Sequence, residues 1–245
     1  VLIGSFDAYP GAICLAAQAA IQLGIGYTTV ISHGSTIPCM LRAFPSIILI
    51  DAQDHSSVSD ALEQAETIAI GPGLGRSDLA IDLLEKSIIS LKPCIIDADA
   101  LHLLYPLRDK LHQRCVLTPH LGEAKALLSP LGIDSMPCRE DILEIISQTY
   151  QAVIVLKGAM TLIGQNHENT WVCCQGNPNM AIAGMGDVLT GIIAAYCAQH
   201  PSHFSCELIA EAVTLHGKIA DDCSLTTGIG LKPEDIIDHL HHHVP

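Results

Sequence analysis

Aromatic residues are scarce in this 245-residue chain, at one Trp, three Phe and five Tyr, or 4% in all. A platform that stacks single-stranded bases needs them, so that class of nucleic-acid binder is excluded. Basic residues are scarce too, with 12 Lys and Arg against 26 Asp and Glu. The formal net charge of −14 would repel a polyanion. A phosphate ligand stays open, because backbone N–H groups and one or two local cations suffice to bind it. No apolar run approaches the roughly 18 residues of a membrane span, and no charged segment leads into a signal-like stretch. The expectation is a soluble, cytoplasmic protein that binds neither nucleic acid nor membrane. No C-x-x-C pair occurs among Cys14, Cys39, Cys94, Cys115, Cys138, Cys173, Cys174, Cys197, Cys206 and Cys223. Buried free thiols of a reducing compartment fit that spacing better than disulfides or a metal site. Repeats, low-complexity segments and long linkers are also lacking, so a single domain over residues 1–245 is expected.

What is present is apolar: 49% hydrophobic against 16% charged residues. Short apolar runs recur at 47–50, 67–70, 94–96, 115–117 and 153–156, each ending in a small or polar residue: Asp51, Gly71, Asp97, Thr118 and Lys157. Such runs, without alternation, predict strands buried on both faces. Helical patterns lie around them at 12–23, 77–90, 122–128 and 141–150. Alternating strands and helices imply a parallel sheet with right-handed crossovers and ligands at the strands' carboxyl ends. Segments 160–163 and 170–174, joined by Gln165-Asn166-His167-Glu168-Asn169, predict an antiparallel hairpin. Two helices, 187–199 and 206–223, are expected to close the chain. Val1-Leu2-Ile3 already reads as strand, so native sequence is expected ahead of it.

The strongest local signal is Ala183-Gly184-Met185-Gly186-Asp187-Val188-Leu189-Thr190-Gly191. Two glycines one residue apart let the backbone approach a ligand, and a helix starting near Asp187 aims free N–H groups into the loop. That suits a phosphate or a transferring phosphoryl group, with Asp187 taking a proton from a hydroxyl. The competing account is an aspartate N-cap after a glycine turn. Gly71-Pro72-Gly73-Leu74-Gly75 follows a strand and precedes a helix. A dinucleotide fingerprint, with Asp97 as ribose acid, fails there at the third glycine, where Arg76 stands. Thr118-Pro119-His120-Leu121-Gly122-Glu123 opens a helix, with His120 and Glu123 either capping it or forming half of a metal site. Lys157-Gly158-Ala159-Met160-Thr161 is either a nucleotide-facing turn or a plain hairpin corner. His239, His241, His242 and His243 lack acidic or Cys companions at metal spacing and read as a tail.

In order, these motifs resemble the NAD(P)H-hydrate dehydratase family of the ribokinase-like superfamily. The resemblance also takes in Gly4-Ser5 with Pro10-Gly11-Ala12, Ile96-Asp97-Ala98-Asp99-Ala100-Leu101, and Gly176-Asn177 through Met180-Ala181. Gly228-Ile229-Gly230-Leu231 with Asp235-Ile236 closes it, so that it spans almost the whole chain. There are two departures. No Lys-Gly lead-in precedes the first strand, and the 4–12 loop is slightly longer than the family's.

The resemblance implies a ribokinase-like three-layer α/β/α fold with a mostly parallel central sheet. The implied reaction is dehydration of hydrated NADH or NADPH, by phosphorylating the ring hydroxyl from ADP or ATP and eliminating phosphate, with Mg²⁺ as cofactor. Asp187 is the implied base. Lys157, Gly158, Ala159, Met160, Thr161, Asn177, Gly184, Met185 and Gly186 are the implied nucleotide contacts, and Ala12, Gly73, Gly75, His120 and Asp187 the substrate contacts. No residue is assigned as a metal ligand. A stand-alone chain leans towards ADP as donor, and a homotetramer is expected. The alternatives are a small-molecule kinase of the hydroxyethylthiazole type and a non-catalytic nucleotide-binding module.

Overall fold

The computed structural model describes residues 1–245 except 7–8, 38–39, 41–44, 134, 167–168 and 244–245. Part of the 4–12 loop, Cys39 and the tip of the 165–169 connection therefore lie outside the described residues.

The buried apolar runs become one nine-stranded sheet in the order β3-β2-β1-β4-β5-β6-β7-β8-β9. Its strands are β1 (Leu2–Ile3), β2 (Thr29–Ser32), β3 (Ile48–Asp51), β4 (Ile68–Ile70) and β5 (Cys94–Ile96). They continue with β6 (Cys115–Leu117), β7 (Val153–Leu156), β8 (Thr161–Gly164) and β9 (Trp171–Cys173). Strands β1 to β7 are parallel, while β8 and β9 add the antiparallel hairpin. Chain order runs one way from β1 to β3 and the other way from β4 onwards. The topological switch point, where α/β sheets open a crevice for ligands, therefore lies between β1 and β4.

Among the described residues, the helices that flank the sheet are α1 (Pro10–Gln22), α2 (His55–Gln64), α3 (Asp78–Ile89), α4 (Leu121–Leu128), α5 (Arg139–Tyr150), α6 (Met185–Gln199), α7 (Cys206–Thr227) and α8 (Pro233–Leu240). Successive strand residues face opposite layers. In β5, Ile95 joins the core beneath α1, α6, α7 and α8, whereas Cys94 and Ile96 join the one beneath α2 to α5. The result is the expected ribokinase-like three-layer arrangement.

The structure corrects three expectations. Strand β3 is not buried on both faces, because it is the sheet's edge and Ile48 is 47% exposed. Three helices close the chain rather than two, α8 being the addition. Helix α6 begins at Met185 after a Gly184 N-cap. Asp187 is consequently the third helical residue and does not cap the helix.

Candidate active site

The carboxyl ends of β1, β4, β5, β6 and β7 present Ser5, the 71–75 loop, Asp97, Thr118 and Lys157 on one rim. At the switch point the first two loops are tied by their backbones: Ser5 N–H donates to Pro72 O and Phe6 N–H to Gly73 O, both at 2.9 Å. Only glycine fits at Gly71, where φ is +134° and a Cβ would stand 1.8 Å from Asp97 O. Ser5 Oγ donates to Tyr9 O and accepts from Ile13 N–H, fixing the entry to α1. Ala12 N–H bonds Tyr9 O, and a side chain on Gly73 would meet the same carbonyl at 2.9 Å. Ala12 and Gly73 thus share one wall. Gly75 N–H donates to Asp99 Oδ2 at 3.0 Å, closing the glycine loop.

Asp97 anchors the centre. It is 1% exposed, yet its carboxylate is fully used. Oδ1 accepts from Lys157 Nζ at 2.8 Å and Thr118 Oγ1 at 2.7 Å, and Oδ2 accepts from Thr190 Oγ1 at 2.8 Å. Burial works against the charge, but the Lys157 ammonium and the three hydrogen bonds outweigh it and hold Asp97 below the usual carboxylate range. These bonds leave no ribose-binding acid here, which removes the dinucleotide-fingerprint alternative. Lys157 also lies 3.7 Å from Glu123 Oε2. Burial lowers its pKa, and the charges of Asp97, Glu123 and Asp187 more than reverse that, so the ammonium stays protonated.

Helix α6 starts on top of this pair. Gly184 takes φ +94° as N-cap, and no side chain caps the first turn. The first N–H groups are left without intrahelical partners, at the positive end of a 15-residue helix. A Cβ on Gly186 would stand 3.3 Å from Lys157 Nζ and 3.9 Å from Asp97 Oδ2. The helix terminus is thereby placed against the buried ion pair. Asp187, in the first turn, is half-buried and has no hydrogen bond to any described residue. Its pKa is pushed up to about 7, chiefly by burial and then by the negative charge of Asp97, with Lys157 opposing. A carboxylate so poised suits a general base working near neutrality.

The other predicted contacts divide. His120 is the N-cap of α4, as the capping account expects. Its Nδ1 accepts from Gly122 and Glu123 N–H, and Glu123 Oε2 accepts from His120 N–H. Its side chain is 60% exposed on the rim, with Nε2 lying 3.5 Å from Glu123 Oε1. Residues 157–161 form the β7–β8 corner, with Lys157 turned inward onto Asp97 and Thr161 Oγ1 donating to Gly158 O. Asn177 is committed to α7 and its own turn: Nδ2 donates to Ala220 O and Asp221 Oδ1, while Oδ1 accepts from Asn179 N–H and Ser224 Oγ–H. No group of three or more His, Cys, Asp or Glu among the described residues is set to hold a metal.

Sequence reasoning missed two contributors. Thr190 lay within the quoted motif, but its bond to Asp97 needs the helix's orientation. His216 in α7 is buried, its Nε2 has no hydrogen-bond partner among the described residues, and burial followed by the Lys157 charge pushes its pKa down to about 4. Its only signal was a histidine among apolar helix positions. A cavity of about 420 Å³ lined by Gln113, Arg114, Gln165 and Phe204 lies at the opposite end of the sheet, away from all of these groups.

The layered sheet, the switch-point glycine loop and an uncapped helix terminus on a buried ion pair define a ribokinase-like α/β protein. The chain belongs to the NAD(P)H-hydrate dehydratase family, whose model matches residues 1–242. It is 36% identical to a Coxiella burnetii bifunctional NAD(P)H-hydrate repair enzyme, over 98% of this chain and 49% of that protein. It is 32% identical to the ADP-dependent (S)-NAD(P)H-hydrate dehydratase of Streptococcus pneumoniae, over 96% and 82%. The ADP/ATP-dependent NAD(P)H-hydrate dehydratase of Bacillus subtilis, co-crystallized with ATP/Mg²⁺ and soaked with CoA, superposes with a TM-score of 0.81. The two are 26% identical, and the match covers 100% of this chain and 91% of that one. The chain spans about half the length of the bifunctional relatives it matches. Among the described residues no helix is long and apolar enough to cross a membrane.

Proposed function

We propose that this chain dehydrates the S form of hydrated NADH and NADPH, with ADP or ATP as phosphoryl donor. The observation that carries the reading is Asp187, a carboxylate with a raised pKa and no hydrogen bond to any described residue, in the first turn of a helix whose N-cap makes no side-chain hydrogen bond. Hydroxide leaves a ring carbon poorly and phosphate leaves well. Asp187 would take the proton of the ring hydroxyl as its oxygen forms a bond to the terminal phosphorus of the donor, releasing the shortened nucleotide. The free N–H groups at the start of α6 would hold the transferring phosphoryl oxygens. The C–O bond then breaks with its electrons leaving on orthophosphate, assisted by the ring nitrogen's lone pair. Loss of a proton from the neighbouring ring carbon restores the double bond.

The carboxylates around Lys157 suit Mg²⁺ arriving with the nucleotide, since this ion is usually held by phosphates and one or two carboxylates. Asp187 and Glu123 would face it, and it would supply neutralisation of phosphate charge. By family resemblance the wall of Ala12, Gly73 and Gly75 with His120 would receive the dinucleotide. Residues 157–161, Asn177 and 184–186 would receive the adenine nucleotide. A single domain over 1–245, a cytoplasmic site and a homotetramer complete the proposal. The donor named for the pneumococcal relative supports ADP.

The test mixes protein, Mg²⁺ and hydrated NADH with ADP or ATP in parallel. Recovery of NADH absorbance with stoichiometric orthophosphate is expected. A stable phosphorylated product would instead indicate a kinase, and nucleotide binding without turnover a non-catalytic module.

A further inference from the structure

The turn at 157–161 is not held by its hairpin alone. Arg139, the first residue of α5, reaches across it: Nη2 donates to Leu156 O at 3.0 Å, and Nη1 donates to Ala159 O. The guanidinium therefore ties the last residue of β7 to the middle of the turn, a span its rigid fork suits and a lysine cannot reproduce. It also fills the space beside Gly158, where a Cβ would stand 3.4 Å from Nη2.

The turn needs such support. Gly158 has φ +150° and Met160 φ +56°, the latter a conformation unfavourable for a residue with a side chain. Its other ties include Lys157 N–H to Pro119 O at 2.8 Å, Lys157 Nζ to Asp97 Oδ1 at 2.8 Å, Thr161 Oγ1 to Gly158 O at 3.0 Å and the pairing of Thr161 with Cys173 of β9. None of these reaches Ala159 or Met160.

Charge points the same way. Lys157 spends its ammonium on Asp97 and Glu123. Arg139 has no carboxylate within ion-pair distance among the described residues, and its Nε is buried without a partner. A half-buried, uncompensated cation thus backs a turn whose own lysine faces inward.

We propose that Arg139 is the positioning residue of the nucleotide turn: it fixes the conformation of residues 157–161 and lends the turn a positive charge that favours a nucleoside di- or triphosphate. This rests on the reading of that turn as a nucleotide contact. The test is calorimetric titration of ADP and ATP, each with Mg²⁺, into the wild-type protein and the variants Arg139→Ala, Arg139→Lys and Leu143→Ala. Melting temperatures and the KM for hydrated NADH are measured alongside. Leu143 lies one turn further along α5 in the core, so its truncation loosens the helix without touching the turn.

Removing two charge-assisted bonds should weaken nucleotide binding about tenfold or more in Arg139→Ala, with Arg139→Lys between it and wild type. Leu143→Ala should lose melting temperature at unchanged nucleotide affinity, and the KM for hydrated NADH should stay level throughout. Unchanged nucleotide affinity in Arg139→Ala, or an equal loss in Leu143→Ala, overturns the proposal. Should Arg139→Ala not fold, unchanged affinity in Arg139→Lys overturns it as well. A wild-type protein that binds neither nucleotide removes the underlying reading, a pattern distinct from these.

Discussion

Lys157 Nζ donates to Asp97 Oδ1 at 2.8 Å, joining the carboxyl ends of β7 and β5 across 60 positions of sequence. Strand β6 lies between them and contributes Thr118 to the same oxygen, while Thr190 reaches the other oxygen from α6. A buried ion pair is weak evidence for stability on its own, because desolvation consumes much of the attraction. Here two hydroxyls satisfy the lone pairs that Lys157 leaves over, and the pair fixes where α6 begins relative to the sheet. We read it as a device for holding Gly186 and Asp187 in register with the strand ends.

Breaking that pair from the acidic side should be costly. Asp97→Ala would leave the Lys157 ammonium facing only Glu123 and Asp187, the buried Thr190 hydroxyl without the acceptor it uses, and Thr118 with only the long 3.4 Å bond to Ile96 O. A loss of about 3–5 kcal/mol is expected in urea unfolding. The folded pKa of Asp97 lies below its unfolded value, so its contribution is present above the unfolded pKa and is lost as pH falls through the folded one. The gap between wild type and variant should therefore narrow in acid. A constant gap from neutral pH downwards would contradict this account.

Asp187 has the opposite sign. Its folded pKa is raised to about 7, so the folded state holds its proton while the unfolded chain has lost it. Stability is therefore forfeited as pH rises from the unfolded value of about 3.8 to about 7, and the deficit persists above that. Asp187→Asn should melt several degrees higher than wild type at pH above 7, at about 2–4 °C per kcal/mol for a chain of this size, with the difference fading in acid. The same variant should lose nearly all turnover while still binding nucleotide. In the wild type, kcat should rise with pH through the neutral region as Asp187 deprotonates. A fully active Asp187→Asn would remove it as the base.

Much of this arrangement was legible in the sequence, and the exceptions share a cause. Strands β5, β6 and β7 were readable to the residue because both faces are buried, so every position had to be apolar. Strand β2 was missed because Thr29 and Ser32 interrupt its apolar pair. Helix α2 was missed because only Val58 and Leu62 of its ten residues are buried, too few to show a period. At the site, the residues that touch along the chain could be read, such as the His120–Glu123 capping box and the glycine run into α6. Partners distant in sequence could not: Asp97 with Lys157, Thr190 and Thr118 is set by strand order, which no local pattern carries.

The contact of α1 with α6 gives a prediction about packing. Gly191 faces Ala16, and a Cβ there would lie 2.1 Å from Ala16 O, a backbone atom that cannot step aside. Gly191→Ala should force the helices apart, costing about 1–3 kcal/mol or more, and should loosen the register of the α6 start. Gly230→Ala, where nothing lies within 4 Å, is the control. It should stay within about 0.5 kcal/mol of wild type. Thermal melts of the two variants side by side make the comparison, and equal losses would refute it.

His120 carries two assignments that one pair of variants can separate. Its Nδ1 caps α4, and the rest of its ring stands exposed on the rim where the dinucleotide is proposed to sit. His120→Ala removes both roles and should cost about 1 kcal/mol of stability. Asn is among the best N-cap residues, so His120→Asn should restore most of that stability while still removing the ring. If the ring contacts substrate, both variants should raise the KM for hydrated NADH by a similar factor, with the KM for nucleotide unchanged. If His120 is only a cap, His120→Asn should match wild type in both stability and kinetics. Steady-state kinetics paired with melting curves decides between them, because only a substrate contact leaves the kinetic defect behind once the cap is restored.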